Sequence, residues 1–200
     1  MPPEMRSFAG IQVMLGQRKR DDGRDNAAGR LNKWCRGQRL GWAFDGDADE
    51  IDMGRRVVGF DTTALLGDET VCSPMLAYIF YRTRKLIDGR PLVLVVDEAW
   101  QIDRVPAFSD AVKDELATIR KNEGVVLLAT QSAHTFLNSK IGFAYKQQVP
   151  TKIFFADNQA ERADLIDGMK LTEAEYETVT QVLPTRKHTF LVQRPGGSVV

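Results

Sequence analysis

Two adjacent carboxylates, Asp97 and Glu98, close a run of five large apolar residues, Leu92 to Val96, in the stretch PLVLVVDEAW. Paired acids can divide a hydrolytic task. Asp97 would hold a Mg²⁺ through water while Glu98 polarises an attacking water. The run carries three valines and no polar alternation, which suits a strand covered on both faces, as in a parallel sheet. Ligands of open α/β sheets sit beyond the carboxyl ends of such strands. Together these features form the Walker B pattern with the additional glutamate of hydrolysing ATPases. The plain alternative is a buried strand whose following acids cap a helix.

A second apolar run, Val125 to Ala129, is followed by Thr130, Gln131 and Ser132. If the two strands are neighbours, these polar residues lie beside Asp97 and Glu98. Gln131 could then bond the terminal phosphate of a nucleotide or position water, with Thr130 at the same nucleotide site. Thr130 and Ser132 would serve equally well as caps of the next helix.

The elements that must carry these residues are legible around them. Val57 to Phe60 reads as a short strand. Ser73 and Pro74 make a helix start, and Leu76, Ile79, Phe80, Thr83 and Ile87 recur at helical steps as far as Gly89. Strand, helix and buried strand imply a right-handed crossover and a parallel pair. A helix is expected from Pro106 to Lys121, with Val112, Leu116 and Ile119 on its buried face. Lys152 to Ala156 reads as a third buried strand. Asn158 with Glu161 and Thr172 with Glu175 have capping-box spacing, so two helices should follow. Thr189 to Gln193 is a further strand, and Gly196 and Gly197 turn towards another beginning at Ser198. Earlier in the chain, Leu31, Trp34 and Cys35 have helical spacing, Trp42 to Phe44 reads as a short strand, and Asp45 to Glu50 as an acidic surface turn.

Composition bounds the possibilities. The chain has 200 residues, 43% of them hydrophobic, enough for a substantial core. Lys plus Arg and Asp plus Glu are each 27, so no global charge draws it to nucleic acid or membrane. Cys35 and Cys72 lie far apart and have no metal-type spacing, which fits a reducing cytoplasm better than a disulfide. No apolar run is long enough to span a bilayer, and Phe8 to Leu15 lacks a signal-peptide cleavage site. Residues 1–30 read as a charged helical or linker segment, and residues 31–200 as one partial domain.

Taken in order, LVLVVDEAW, ELATIRKNEGVVLLATQS, TKIFFADNQA, MKLTEAEYETV and PTRKHTFLVQRPGGS closely resemble the large ATPases of type IV secretion systems, the VirB/TrbE/CagE class. GRLNKW, GWAFDGDAD and RVVGFDTTALL extend the resemblance over most of residues 30–200. It implies an α/β fold with a RecA-like P-loop NTPase core, a mostly parallel sheet flanked by helices. It also implies ATP and Mg²⁺ as ligands of the complete protein. The expected partners are sister subunits in a hexamer or dimer, inner-membrane channel components, and a DNA or protein cargo. The implied location is cytoplasmic, peripheral at the bacterial inner membrane. By position, Asp97 would be the Mg²⁺-side acid, Glu98 the base and Gln131 the γ-phosphate sensor. Arg120 with Lys121, and Arg186, resemble later basic motifs that stabilise phosphoryl transfer in the same or a neighbouring subunit. A DEAD-type helicase fragment is a second enzyme reading, opposed by Trp100 and Gln131. A non-catalytic interaction module is the third.

One departure stands out. A P-loop needs Gly-Lys within G-x-x-x-x-G-K-[ST], and the chain contains no Gly-Lys pair. The chain is therefore expected to be a piece cut before the P-loop strand and after the last motif strand. The strand Val125 to Ala129 would then need its open edge filled by Lys152 to Ala156 or by another strand, from a second copy or from Gly10 to Leu15.

Overall fold

The computed structural model describes residues 7–16, 27–104, 112, 119–140, 142, 145 and 148–200. The chain divides into two compact units, Met1–Tyr78 and Ile79–Val200.

The first unit is built on short helices and turns: α1 (Phe8–Gly16), α2 (Ala27–Asn32) and α3 (Gly41–Phe44), followed by the start of α4 (Glu69–Arg84). Its organising group is Asp45, a buried acid whose two oxygens accept from the backbone N–H of Phe8 (2.9 Å) and of Arg36 (2.7 Å). Those bonds satisfy a carboxylate that would otherwise be costly to bury. Beside it, the Phe44 ring packs on Trp34 and, edge-on, on Tyr78. Gly41 is required here, because a Cβ would stand 2.3 Å from the Cys35 carbonyl oxygen. Two expectations for this region are corrected. Trp42 to Phe44 is one turn of helix, and Val57 to Phe60 is an exposed coil with Val57 83% accessible. β-branched residues favour strands only where a neighbour offers hydrogen bonds and cover, and Val57 has little of either.

Helix α4 begins four residues before the expected Ser73. Asp68 supplies the start: its side chain accepts from the Thr70 N–H and its carbonyl from Cys72. Pro74 consequently falls inside the helix.

The second unit holds two small sheets. β1 (Leu92–Val96) pairs in parallel with β2 (Gly124–Leu128), with Leu92 opposite Gly124 and Val96 opposite Leu128. β3 (Lys152–Phe154), β4 (Leu191–Arg194) and β5 (Gly197–Val199) form an antiparallel sheet in that order. The expected mostly parallel sheet is thus corrected: among the described residues, one pairing is parallel and two are antiparallel. Thr189 to Gln193 meets Lys152 to Phe154 head to tail, so parallel alignment is not available to it. The two fillers of that edge expected from within the chain are corrected as well. β3 takes β4 as its partner instead of β2, and Gly10 to Leu15 lies within helix α1.

The core joins β1 and β2 to the following helices. Ala99, Phe136, Leu165, Val179, Leu183 and Leu191 are fully buried in it, and Leu94, Val96 and Leu128 pack against it. Phe136 meets Tyr145 edge to face at 5.1 Å. Strand β1 is covered on one face only: Val93 and Val95, with Val125 and Leu127 of β2, are each about half exposed or more. The unbroken apolar run therefore does not mark a strand with both faces covered in this chain. The helix expected over Pro106 to Lys121 lies mainly outside the described residues, although Val112 and Ile119 are buried. Helix α5 (Ala133–Leu137) follows β2.

After β3 the expected Asn158–Glu161 capping box does not form. Asp157 turns the chain instead by accepting from Gln159, and a π-wound turn covers Ala163–Gly168. The Thr172–Glu175 box does form, at the start of helix α6 (Glu173–Glu177). Glu175 also accepts from the Gln193 amide of β4, so one carboxylate ties the helix start to the sheet. Burial opposes its charge, but hydrogen bonds from Thr172, Ser198 and Gln193 outweigh that and hold its pKa below the ordinary glutamate value. A depressed folded pKa contributes stability above the unfolded value and loses it as pH falls through the folded one. Urea denaturation should therefore show stability declining below the ordinary glutamate range, and the decline should be shallower in Glu175→Gln.

Candidate functional site

The parallel register sets the carboxyl ends of β1 and β2 side by side, and backbone bonds carry the pairing past both strands. The Ala129 N–H donates to the Val96 carbonyl at 2.9 Å, and the Ala99 N–H donates to the Ala129 carbonyl at 2.9 Å. Asp97 and Glu98 are thereby held beside Ala129, at the strand end that leads into Thr130 and Gln131. Ala99 is completely buried, which locks the turn between the acids and the core.

Glu98 turns the chain sharply, with φ of +47° in the left-handed region. Non-glycine residues hold that conformation only where the surroundings impose it. Two bonds do so: the Glu98 N–H donates to Asp97 Oδ1 at 2.9 Å, and the Gln101 N–H donates to the Glu98 carbonyl at 2.8 Å. The Glu98 carboxylate accepts at Oε2 from the indole N–H of Trp100, at 2.6 Å. Asp97 is exposed. An exposed carboxylate with one oxygen on its own turn suits a hydrated Mg²⁺, a hard cation that prefers oxygen ligands and keeps several waters. Asp97 is the residue that would hold it, through water.

Beyond β2, Gln131 is exposed. The Thr130 hydroxyl accepts from the Ser132 N–H and donates to the Ser132 carbonyl, both at 3.2 Å. Ser132 caps α5, its hydroxyl accepting from the Thr135 N–H at 3.1 Å. Capping thus accounts for Ser132, while Thr130 braces the turn that presents Gln131.

The basic residues are placed elsewhere. Lys121 is exposed in the 3-10 turn Ile119–Asn122, just before the amino end of β2. Five residues of strand separate it from the carboxyl end, about 16 Å at roughly 3.3 Å per residue. Lys121 thus stands at the opposite end of the strand pair from Glu98. Arg120 stands in the same turn, and its side chain lies outside the described residues. Arg186 is exposed after the turn Leu183–Thr185, leading into β4, and no described contact brings it to Glu98.

Among the described residues, one other group could hold a cation. His134 on α5, Glu161 and Asp164 bring ligand atoms within 4.8 Å of one another. His134 Nδ1 lies 3.2 Å from Asp164 Oδ1, and its Nε2 lies 3.2 Å from the Asn138 amide. Both ring nitrogens are engaged, so the group serves as a hydrogen-bonded bridge from α5 to the following turn. The sequence did not signal it, because the three residues belong to two separate elements.

A groove of about 460 Å³ lies on the antiparallel sheet, lined by Lys152, Lys170, Arg194, Thr172, Glu175 and Gln193 among others. Lys152 donates to the Met169 carbonyl and to Gln193 Oε1, and lies over the Tyr145 ring. Burial lowers the Lys152 pKa, with Glu175 opposing, and burial raises that of the Tyr145 phenol.

The buried Ala99 gives a direct check on how the turn is held. Ala99→Val overpacks a fully enclosed position and should destabilise the chain by about 1–3 kcal/mol, measured by urea denaturation.

No protein-family model matches the chain. Curated relatives do. The chain is 40% identical over 198 residues to Protein virB4 of Rhizobium radiobacter, covering 99% of the chain and 25% of that protein. It is 36% identical over 200 residues to the type IV secretion system protein virB4 of Bartonella henselae, covering 100% of the chain and 25% of that protein. It is 34% identical over 178 residues to the type IV secretion system protein PtlC of Bordetella pertussis, covering 86% of the chain and 22% of that protein. The solved structure of VirB4 of Thermoanaerobacter pseudethanolicus shares its fold, with a TM-score of 0.53 at 20% identity over 66% of this chain and 36% of that one. The chain spans about a quarter of the length of the curated relatives it matches. Along nearly its whole length, this chain is thus related to the VirB4 and PtlC proteins of type IV secretion systems.

Proposed function

We propose that this chain is part of the motor ATPase of a type IV secretion system, which energises pilus assembly or substrate transfer by ATP hydrolysis. The observation that carries the reading is the Asp97–Glu98 pair at the end of a parallel strand, backbone-bonded to the strand end that presents Gln131. That arrangement occurs in a chain 40% identical to a VirB4 protein over 99% of its length. Residues 31–200 would form part of a RecA-like domain. Among the described residues, β2 and β3 each have one strand partner. A further strand between them, carrying the P-loop, would join both sheets into one. These 200 residues contain no Gly-Lys pair to supply that loop.

In this reading Glu98 takes the proton from the attacking water, Asp97 faces the hydrated Mg²⁺, and Gln131 and Thr130 face the terminal phosphate. A Mg²⁺ held through water by Asp97 would supply charge neutralisation to the transferring phosphoryl group. Arg186, Arg120 and Lys121 would act at a neighbouring subunit's nucleotide, which makes sister subunits necessary partners. Inner-membrane channel components and a DNA or protein cargo complete the assembly, with the ATPase peripheral on the cytoplasmic side. Among the described residues no helix is long and apolar enough to cross a membrane. A non-catalytic interaction module is the competing reading, favoured by the exposed apolar face of Val93, Val95, Val125 and Leu127.

Turnover decides between them. In the full-length protein, Glu98→Gln should leave ATP bound and reduce hydrolysis about 10²–10⁴-fold, the usual contribution of a general base. Asp97→Asn should instead weaken Mg²⁺-dependent binding. Unchanged steady-state turnover in Glu98→Gln would remove the assignment of the base. The 200-residue chain by itself should hydrolyse ATP no faster than background in a phosphate-release assay, for want of a phosphate cradle.

A further inference from the structure

We propose that Trp100 is the positioning residue of the hydrolytic base: its indole holds the Glu98 carboxylate so that one oxygen stays free to receive the proton of the attacking water. The inference rests on the reading of Glu98 as the base.

The geometry is local and specific. Trp100 Nε1 carries a proton and no acceptor, so it can serve a carboxylate in one way only, by donating. It does so to Glu98 Oε2 at 2.6 Å, short enough for a charge-assisted bond. A glutamate side chain otherwise rotates about three single bonds, and ordering it costs free energy at the moment of reaction. Here the ordering is built in beforehand. The Trp100 backbone is fixed on both sides: the Ala99 N–H is bonded to Ala129, and the Gln101 N–H closes back on the Glu98 carbonyl. Trp100 is itself half-buried, so its ring is not free to swing away. The left-handed Glu98 backbone brings the residue two positions on within reach of its own carboxylate.

The chemical identity of the donor matters. A lysine or arginine at this position would also orient the carboxylate, but its charge would depress the basicity needed to take a proton. An indole orients without adding charge. Among the described residues no ion pair reaches Glu98, so the anion is held by a neutral donor. With Oε2 committed to Trp100, Oε1 remains for catalysis. As the water oxygen bonds to the terminal phosphorus, its proton passes to Oε1. The bridging P–O bond breaks, and its electron pair leaves on the diphosphate.

Two measurements test this, one independent of activity. The chain has three tryptophans, Trp34, Trp42 and Trp100, hence three indole N–H signals in a ¹H–¹⁵N correlation spectrum. Trp100→Phe identifies the third by deleting it. Glu98→Gln, which leaves Trp100 in place, should move that signal upfield and leave the other two unmoved. An indole signal indifferent to Glu98→Gln overturns the contact. In the full-length protein, Trp100→Phe should lower kcat about 10- to 100-fold with KM for ATP unchanged, as expected when a reacting group is misplaced. In a Glu98→Gln background the same change should have no further effect on kcat. A merely structural role would lower kcat equally in both backgrounds or raise KM, and either result overturns the inference, as does a rise in kcat. If wild-type and Glu98→Gln proteins turn over alike, the assignment of the base fails, while the spectrum still reports whether the contact exists.

Discussion

The second unit depends on one pairing, that of β1 with β2 in parallel and in register. Parallel strands leave both carboxyl ends on one side, so the residues that follow each strand must meet. Two backbone bonds beyond the strands, Ala129 to Val96 and Ala99 to Ala129, draw the ends closer still. The core reinforces the arrangement from one face, where Leu94, Val96 and Leu128 pack against the buried cluster that includes Phe136, Leu165 and Leu183. Losing that packing would cost the site its geometry before any acid or amide was altered.

The same pairing explains why Glu98 can be strained. A left-handed glutamate is tolerable because the residues on either side are held: Asp97 accepts its amide, and buried Ala99 anchors the chain after it. The turn brings the carboxylate within reach of the tryptophan two positions further on. Backbone constraint and side-chain order are in this way consequences of one another.

The antiparallel sheet is organised on a different group. Glu175 accepts from both the amide and the hydroxyl of Thr172 and from Gln193, so the start of α6 and the strand β4 share one carboxylate. The first unit uses the same device in Asp45, whose oxygens take amides from residues 37 and 9 positions away. In both places a single acid replaces a stretch of regular secondary structure as the link between distant segments.

Much of this was written in the order of the residues. The strand Leu92 to Val96, the strand before Thr130, the Thr172–Glu175 box and the terminal hairpin all depend on local pattern, and each is present. The Asp97–Glu98 pair was legible as a candidate for the same reason, since an apolar strand ending in Asp-Glu is a local signal. Residues with no such signal needed the fold. Trp100 reads as an ordinary aromatic until the turn at Glu98 folds it onto the carboxylate. Asp45 reads as one acid among several on a surface turn until two distant amides reach it. Val57 to Phe60 reads as a strand, and only the absence of adequate cover makes it a coil. Lys121 reads with Arg120 as a basic motif, and the strand that follows it sets it at the other end of the sheet from Glu98. Sequence determines what each segment prefers and which groups it offers. Tertiary structure decided which groups meet, because hydrogen bonds and burial depend on partners that local preference cannot supply.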